Sequence, residues 1–547
     1  MGARTLTPRQ KAWSSKLRHG ELPWQQRIPG LRNAAQGPVL SRAVDSRVIV
    51  AQNLAAVTGA LTAQGIEFVQ LPQLSDFRPR LVVRQSDVPN VAAALGQLDD
   101  AEGWTITITR DGGKLKDSRW AATHPAQVQQ MRARRRLCAP NEREMTTVFE
   151  DVFIEPWEEL GEGIERVDGD FHIPGTLHRR ISRRGTYVEY LTPDNWHRAV
   201  EDGGALRWSH PHLYQFTEPV DIVYTWVDGD DPAWQERKLV AEGVLDPAEV
   251  NETATITSRF TSRDELRYSL RSVEQFANWV NHIYIVTDRQ VPEWLDVDHP
   301  KVTVIDHRDI FTDPEALPVF NSHAIESQLH HIPGLSEHYV YLNDDIFFMR
   351  PTEPTLFFTG NGQSKFFPST APLDIDAPSA RDLPVLSAAK QNRAFMLNAF
   401  GRVVTNKFKH TPHSQLRSVL SEMEAKHEQE FQDVAASRFR HPDDLSITSA
   451  LYHFYAYAAG RAQPGGIRYA YMDIAREDAD LYLQRLARRT DLDVLCLNDT
   501  NTTETDEEYL TRILGRFLNS RFPIPSHFEK GVEKRTADFA ERKRIIS

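Results

Sequence analysis

Long apolar runs alternate with helix-spaced segments along the chain from residue 219 onward. The runs are rich in β-branched residues and lie at 221–227, 282–287, 302–306 and 338–342. Continuous runs of this kind are typical of strands buried on both faces, as in a parallel sheet. The segments 265–278 and 321–331 carry apolar residues at helical spacing. Strands that alternate with helices predict an α/β domain with a mostly parallel sheet, and ligands bind such domains beyond the carboxyl ends of the strands.

Changes in composition divide the chain into four predicted parts. Residues 1–40 are basic and broken by proline and glycine, which predicts an N-terminal arm. Short strands and helices alternate over 41–217 without any catalytic motif, so we expect a small accessory α+β domain there. The candidate chemistry lies within 218–530, and a charged tail covers 531–547. A stretch at 360–390 that is rich in Pro, Ser and Asp predicts a surface loop or lid, and further helices are expected at 415–432, 445–461, 479–489 and 507–519.

The composition narrows the class of protein. The 547 residues carry a net charge of −12, with 40% apolar and 26% charged residues, which is typical of a globular chain. The acidic balance argues against a general nucleic-acid binder, because such a protein needs a basic face. Cys138 and Cys496 lie far apart and form no CxxC pair, which excludes a cysteine zinc site. No apolar run reaches the ~18 residues of a membrane span, and no secretory signal is visible, so we expect a cytoplasmic enzyme.

Two adjacent carboxylates form the sharpest local signal. Asp344 and Asp345 follow the predicted buried strand at 338–342. Carboxylates at the end of such a strand can hold Mg²⁺ or Mn²⁺, and the cation in turn binds a diphosphate. The plainer interpretation is a pair that only ends the strand and caps the next element.

Histidine and arginine side chains form a second candidate group. His410 and His413 flank Thr411 and Pro412, and Arg440 follows about 30 residues later. Neutral imidazole is suited to take a proton from a hydroxyl near pH 7, and a guanidinium can bind a phosphoryl group through two hydrogen bonds. The two histidines could instead ligate a metal, or pack as ordinary structural residues.

A third signal surrounds the predicted helix at 265–278. Arg259 and Arg263 precede its N-terminus, which is a favourable place for an anion. Trp226 ends the first predicted strand and could stack on a base, although an aromatic residue at a strand end is more often part of the core. The chain lacks GxGxxG, P-loop, HExxH and GxSxG patterns, which argues against dinucleotide enzymes, P-loop kinases, zincins and α/β-hydrolases.

Taken together, the motifs resemble the four signature regions of the Stealth phosphotransferases. The matching segments occur in order at 221–232, 259–351, 410–444 and 496–528. The family includes bacterial capsular polysaccharide phosphotransferases and the catalytic subunit of the lysosomal-enzyme N-acetylglucosamine-1-phosphotransferase. The resemblance implies a GT-A/Rossmann-like catalytic domain. It also implies transfer of a sugar 1-phosphate from a UDP-sugar, such as UDP-N-acetylglucosamine, to a hydroxyl of an acceptor glycan. UMP would leave, and the N-terminal extension is similar to that of actinobacterial members.

Matching by motif assigns roles to individual residues. The resemblance places Glu326, Asp345, His410 and Arg440 in the catalytic centre. Asp345 and Asp344 would bind Mg²⁺ or Mn²⁺, His410 would be the base on the acceptor hydroxyl, and Arg440 would hold the transferring phosphate. Glu326 would orient the donor or support the metal, although a plain salt bridge is an alternative for it.

Further residues are expected around the substrate. Asp499, beside Asn498, is expected to complete the metal or donor shell. The expected substrate contacts are Trp226, Asp228, Arg259, Arg263, Asn392, Arg393 and His413.

Two alternatives to phosphotransfer stay open at this stage. A GT-A glycosyltransferase would use the same UDP-sugar and metal but release UDP, and a catalytically silent protein would only bind the sugar nucleotide. The expected partners are the UDP-sugar donor and a glycan acceptor, without nucleic acid. Peripheral association with the inner face of the cell membrane and a homodimer are left open.

Overall fold

The fold is described by a computed structural model. It covers residues 37–110, 113–115, 118–162, 172–180, 187–243, 260–379, 382–499 and 504–532. Most of the predicted arm at 1–40, most of the tail at 531–547, and Arg259 lie outside the described residues.

The part of the chain before residue 218 forms a mixed sheet with helices. Its strands are β1 (Val69–Gln70), β2 (Arg80–Arg84), β3 (Trp104–Arg110), β4 (Gly113–Leu115), β5 (Val128–Arg135), β6 (Val152–Glu159), β7 (Leu177–His178) and β8 (Tyr190–Leu191). The order is β1-β2-β6-β5-β3-β4, and β7 joins β6 to β8. Among these strands of the described residues, only the β2–β6 pairing is parallel. The helices are α1 (Ser46–Ala63), α2 (Val88–Leu95), α3 (Ser118–Thr123) and α4 (Pro193–Glu201). This arrangement agrees with the predicted α+β architecture.

The central sheet begins after residue 218. Its strands are β9 (Val220–Thr225), β10 (Ile283–Thr287), β11 (Val302–Asp306) and β12 (His338–Asn343). They are mutually parallel in the order β11-β10-β9-β12, which is the 3-2-1-4 order of a Rossmann-like half. All five residues of β10 are buried, as the continuous apolar run requires. The predicted parallel α/β sheet is therefore confirmed.

Smaller strands extend this framework. They are β13 (Ile346–Phe348), β14 (Ser364–Phe366), β15 (Pro368–Pro372), β16 (Asn406–Phe408), β17 (His413–Leu416), β18 (Ala462–Pro464), β19 (Tyr469–Asp473) and β20 (Val494–Asn498). The β17 strand adds to the central sheet antiparallel to β12. The other strands form the sheet β13-β20-β19 and the pairs β14–β18 and β15–β16. The turn between β12 and β13 carries Asp344 and Asp345, so it links the central sheet to the sheet β13-β20-β19 at the acidic pair.

Helices pack around these sheets. They are α5 (Pro232–Glu242), α6 (Glu265–Phe276), α7 (Ser322–Ser327), α8 (Pro384–Phe400), α9 (Arg417–Lys426), α10 (Glu428–Ala436), α11 (Tyr452–Ala458), α12 (Ala479–Leu486) and α13 (Glu504–Arg521). None of the helices in the described part of the chain is long and apolar enough to cross a bilayer.

Several predicted elements differ from those observed. The expected loop at 360–390 contains β14, β15 and the start of α8. The helix expected at 415–432 is divided into α9 and α10, and it is preceded by β17, whose four residues pair with β12. The helix expected at 445–461 starts with one π-helical turn, Ile447–Leu451, before α11.

Direct contacts join the accessory part to the central fold. The side chain of Asn278 donates a hydrogen bond of 2.9 Å to the carboxylate of Asp45. The backbone N–H of Asp76 donates to Glu353 at 2.8 Å. The accessory part therefore packs against the end of α6 and against the segment that follows β13. The boundaries of the predicted domains stay predictions.

Candidate functional site

A cleft of about 600 Å³ lies at the carboxyl ends of the central parallel strands. Its walls include Trp226 after β9 and Asp344 and Asp345 after β12. Among the described residues, none that precedes Thr225 lines this cleft. The cleft lies where an open α/β sheet binds its ligand, so it is the candidate active site.

Three carboxylates gather in the cleft, two from the turn after β12 and one from α6. Glu265 is the first residue of α6 and is buried. Burial and the charge of Asp345 raise the pKa of Glu265 to about 7. Burial, followed by the charges of Glu265 and Asp345, raises the pKa of Asp344 well above its ordinary value. Carboxylates this close destabilise one another's charged forms, so a bound cation would relieve the repulsion.

Asp345 has an oxygen that is suited to a cation. Its Oδ1 is buried and makes no hydrogen bond in the described structure, whereas its Oδ2 accepts a hydrogen bond of 3.4 Å from the thiol of Cys496. Burial and the Asp345 carboxylate raise the pKa of Cys496 well above its usual value, so the sulfur stays protonated and is no thiolate ligand. Carboxylate oxygens are the ligands that Mg²⁺ and Mn²⁺ prefer. Ligand atoms of Asp345, His410 and Cys496 lie within 4.8 Å of one another. The oxygens of Asp345 therefore fit a hard divalent cation, and Asp344 and Glu265 are close enough to interact with the charge of Asp345.

His410 lies beside this acidic centre in the segment between β16 and β17. Its Nε2 is 3.9 Å from Oδ1 of Asp345 and 3.3 Å from Nδ2 of Asn343. One third of the His410 side chain is exposed, so a ligand in the cleft can reach the ring. The centroid of the imidazole ring lies 6.2 Å from the centroid of the Tyr471 ring. An imidazole in this position is within reach of groups bound at the carboxylates.

Arg440 and Glu326 face each other on another wall of the cleft. Nη2 of Arg440 donates a hydrogen bond of 2.9 Å to Ser322, and its Nε is buried without a partner in the described structure. Burial lowers the pKa of Arg440, and the charge of Glu326 opposes this shift. Glu326 lies on α7 and accepts hydrogen bonds from Ser449 at 2.5 Å and Tyr341 at 3.3 Å. The unpaired Nε leaves Arg440 with a donor for an anionic ligand.

His413 lines the same cleft as His410, which lies three residues earlier in the sequence. It is the first residue of β17 and stands opposite Tyr341 of β12. Its Nδ1 is 3.0 Å from Nε2 of His453. Burial and the neighbouring His453 and His410 lower the pKa of His413 well below its ordinary value, so the ring is neutral near pH 7.

Of the remaining predicted substrate contacts, some line the cleft and others lie outside it. Trp226 and Asn392 line the cleft, and Nδ2 of Asn392 donates to the carbonyl of Ser446 at 3.1 Å. Asp228 lies in the turn after β9, where its carboxylate accepts the N–H of Asp230 at 3.0 Å, and it does not line the cleft. Arg393 also lies outside the cleft lining, because its guanidinium donates to the backbone carbonyls of Asp374 and Asp376.

Arg263 lines the cleft but is surrounded by carboxylates. Its guanidinium donates to Asp499 at 2.8 Å and to Glu507 at 2.7 Å, and it lies 3.8 Å from Glu265. The side chains of Arg263 and Asp499 are 3% and 9% exposed. The guanidinium of Arg263, which was expected to bind an anion, is thus neutralised by carboxylates of the protein. One of these carboxylates is Asp499, which was expected to bind the metal.

Several residues of the site were not predicted from the sequence. The sequence pattern predicts Glu265 only as a helix start, although its position directly after Arg263 and Asp264 indicates a cluster of charged side chains. Asn343 precedes the acidic pair, and Ser449 and His453 come from the segment around α11. Ser449 and His453 approach the cleft only through long-range packing, so no local pattern indicated them.

Four conserved regions of the Stealth proteins match this chain. Regions 1, 2, 3 and 4 match residues 218–242, 259–366, 409–457 and 484–539. All four regions contribute residues to the cleft lining, which also includes residues within 383–408 and Tyr471.

Several similar proteins are named exopolysaccharide phosphotransferases. The exopolysaccharide phosphotransferase SCO6023 of Streptomyces coelicolor is 37% identical over 542 residues, which cover 95% of this chain and 89% of that protein. The exopolysaccharide phosphotransferase CpsY of Mycobacterium tuberculosis is 38% identical over 332 residues, 60% of this chain and 62% of that protein. Among solved structures, the galactosyltransferase LgtC is 12% identical, with a TM-score of 0.29 over 57% of this chain and 98% of that one. The four matched regions and the near full-length relative show that this chain belongs to the Stealth family of sugar-phosphate transferases.

Proposed function

We propose that this chain transfers a sugar 1-phosphate from a UDP-sugar to a hydroxyl of an acceptor glycan in cell-surface polysaccharide synthesis. UDP-N-acetylglucosamine is the first donor to test. The proposal is carried by one observation: a carboxylate centre, an accessible imidazole and an incompletely paired guanidinium share one cleft. Phosphoryl transfer requires mainly such positioning and charge neutralisation.

The carboxylates and Arg440 would bind the diphosphate of the donor. Asp344, Asp345 and Glu265 would hold Mg²⁺ or Mn²⁺, which supplies charge neutralisation for the phosphate oxygens when it is bound. Arg440 would donate its free Nε to an oxygen of the transferring phosphoryl group. The opposite charge of Glu326 favours the charged form of that guanidinium. Trp226, at the end of β9, would stack on the uracil.

His410 would activate the acceptor. The acceptor hydroxyl attacks the β-phosphorus, and its proton moves to Nε2 of His410, the ring nitrogen nearest Asp345. The bond between the β-phosphorus and the bridging oxygen breaks, and UMP leaves with that oxygen. The bond from the anomeric carbon to its oxygen stays intact, so a phosphodiester joins the two sugars.

A donor labelled with ³²P in its β-phosphate distinguishes this reaction from its nearest alternative. The full chain would be incubated with the labelled UDP-sugar, an acceptor oligosaccharide and Mg²⁺. Phosphotransfer places the label in the glycan and leaves unlabelled UMP. Glycosyl transfer leaves the label in UDP and would overturn the proposal, as would the absence of any turnover over a panel of UDP-sugars and glycan acceptors. Arg489→Ala is a suitable control, because this residue is exposed, pairs with Asp491 and does not line the cleft.

A further inference from the structure

A second histidine lies directly behind His413. His453 of α11 is 2% exposed, and its Nε2 is 3.0 Å from Nδ1 of His413. The two rings are nearly parallel, with centroids 5.3 Å apart. A hydrogen bond between two neutral imidazoles contains a single proton, so one ring must donate and the other must accept.

The surroundings of His453 indicate which ring donates. Its other nitrogen, Nδ1, is buried and has no hydrogen-bond partner among the described residues. The neighbouring rings belong to Phe366, Phe408 and Tyr452. A buried N–H without an acceptor is rarer in proteins than a buried acceptor without a donor. His453 therefore carries its proton on Nε2 and donates it to Nδ1 of His413.

This assignment fixes the state of His413. Because its Nδ1 accepts a hydrogen bond, the proton of the neutral ring must lie on Nε2. No hydrogen bond is observed to Nε2 within the described structure, and His413 lines the cleft. Burial lowers the pKa of His453 to about 3 and that of His413 well below its ordinary value, so neither ring gains a second proton near neutral pH.

We propose that His453 is a positioning residue that holds His413 in its Nε2–H tautomer, so that His413 donates a hydrogen bond to an oxygen of the bound substrate. The inference rests on the proposed function for the identity of that substrate, but the tautomer itself does not depend on it. A histidine in this state cannot be the base, which leaves that role to His410. The arrangement supplies a neutral donor whose strength does not change with pH across the neutral range.

The tautomer is measured first, without substrate. The full chain labelled with ¹⁵N-histidine gives long-range ¹H–¹⁵N spectra in which protonated and bare ring nitrogens have separate shift ranges. The His413 signals are those that disappear in His413→Gln. We expect a protonated Nε2 and a bare Nδ1. A protonated Nδ1 in the unmodified protein would overturn the proposal, whether or not the enzyme proves to release UMP.

Two replacements of His453 then test the positioning role. His453→Gln places an amide N–H near the position of Nε2, whereas His453→Leu removes the donor. We expect His453→Leu to lower kcat by about 10-fold to 100-fold, the range seen when a partner that orients a site residue is lost, and to alter the His413 tautomer signals. His453→Gln should recover most of both. If the two variants are folded and equally impaired, or if both retain full kcat, His453 does not position His413.

Discussion

Arg263 and Asp499 form a buried ion pair with an Nη2–Oδ2 distance of 2.8 Å. The pair connects the segment before α6 to the residue after β20, which belong to conserved regions 2 and 4. Glu507 of α13 binds the same guanidinium at 2.7 Å. The carboxylate of Asp499 thus contributes to holding the wall of the cleft together.

Asp499→Ala tests this role against the metal-binding role expected from the sequence. Removing one partner of a buried pair typically costs about 3–5 kcal/mol, and Glu507 should reduce that loss. We expect a lower free energy of unfolding in urea, with the affinity for Mn²⁺ unchanged in calorimetry. Unchanged stability together with a large loss of Mn²⁺ affinity would restore Asp499 to the metal site.

Activity should depend on a divalent cation. We expect EDTA to abolish turnover and Mg²⁺ or Mn²⁺ to restore it, because three carboxylates face one another in the cleft. Asp345→Asn should lose turnover but keep its unfolding midpoint, since Oδ1 of Asp345 makes no hydrogen bond within the described fold. Full turnover in EDTA would contradict the metal assignment.

Glu265 offers a sharper test because its neighbour provides a matched control. Glu265 is buried in the carboxylate group, whereas the Asp264 side chain is 54% exposed. We expect Glu265→Gln to weaken Mn²⁺ binding by about 10-fold to 100-fold, a typical effect for residues that support a metal site. Asp264→Asn should leave binding unchanged. Equal affinities in the two variants, measured by calorimetry, would exclude Glu265 from the site.

Loss of His410 should affect chemistry more than donor binding. Removal of a general base typically lowers the rate by about 10²–10⁴, and we expect a fall of this size in kcat for His410→Ala. The donor should still bind, because the base contacts the acceptor and not the uridine. If calorimetry with the UDP-sugar shows that His410→Ala no longer binds it, His410 is a phosphate or metal contact instead.

A pH-dependent contribution to stability is expected away from the cleft. Both His330 and His331 contact Oε2 of Glu424, at 2.8 and 2.7 Å. Burial alone would raise the pKa of Glu424, but the hydrogen bonds from the two histidines lower it to about 2. Burial alone would lower the pKa of His331, but the hydrogen bond to Glu424 and the charge of Glu424 raise it. His330 is more deeply buried, and burial lowers its pKa despite Glu424, with the charges of His331 and then Arg417 acting in the same direction.

These shifts define a pH window. The depressed pKa of Glu424 stabilises the fold above 4.5, its ordinary value, and this contribution is lost as the pH falls toward 2. The raised pKa of His331 stabilises the fold below 6.5 and its contribution is lost as the pH rises above that value. Glu424→Gln should therefore lower Tm more at about pH 5.5 than at about pH 8. An equal loss at both values would show that the ion pair contributes nothing beyond its neutral hydrogen bonds.

The elements that were predicted best from the sequence are those with a local pattern of apolar and polar residues. Continuous apolar runs identified the parallel strands, and the acidic pair was found because it directly follows one of them. Helix α8 was missed because its pattern is mixed: Lys390 and Asn392 are buried together with Met396, whereas Val385 and Leu397 are more than half exposed. Lys390 tolerates burial because it pairs with Asp382 at 3.1 Å. Such compensation comes from a residue outside the helix and leaves no periodic signal within it.

The residues of the candidate site likewise divide into those that a local motif indicates and those that only the fold reveals. His410 and Arg440 stood out because they belong to short polar motifs, whereas His453 lies within the apolar run 451–459. A lone histidine in such a run is ordinarily a packing residue. Only the fold shows that its Nε2 contacts a residue of the cleft.

The antiparallel pairing of β17 with β12 sets limits on how this part of the gene can change in length. His413 and Tyr341 are direct partners across the two strands, and side chains on a strand alternate between the two faces of the sheet. Inserting or deleting a single codon between His413 and Leu416 would therefore exchange the faces of the residues that follow it. The described residues between β15 and α8 belong to no strand, so a change in length there exchanges no faces of a sheet. Length differences among relatives should thus accumulate before α8 and be absent from β17, which makes this strand a fixed reference point for aligning distant members.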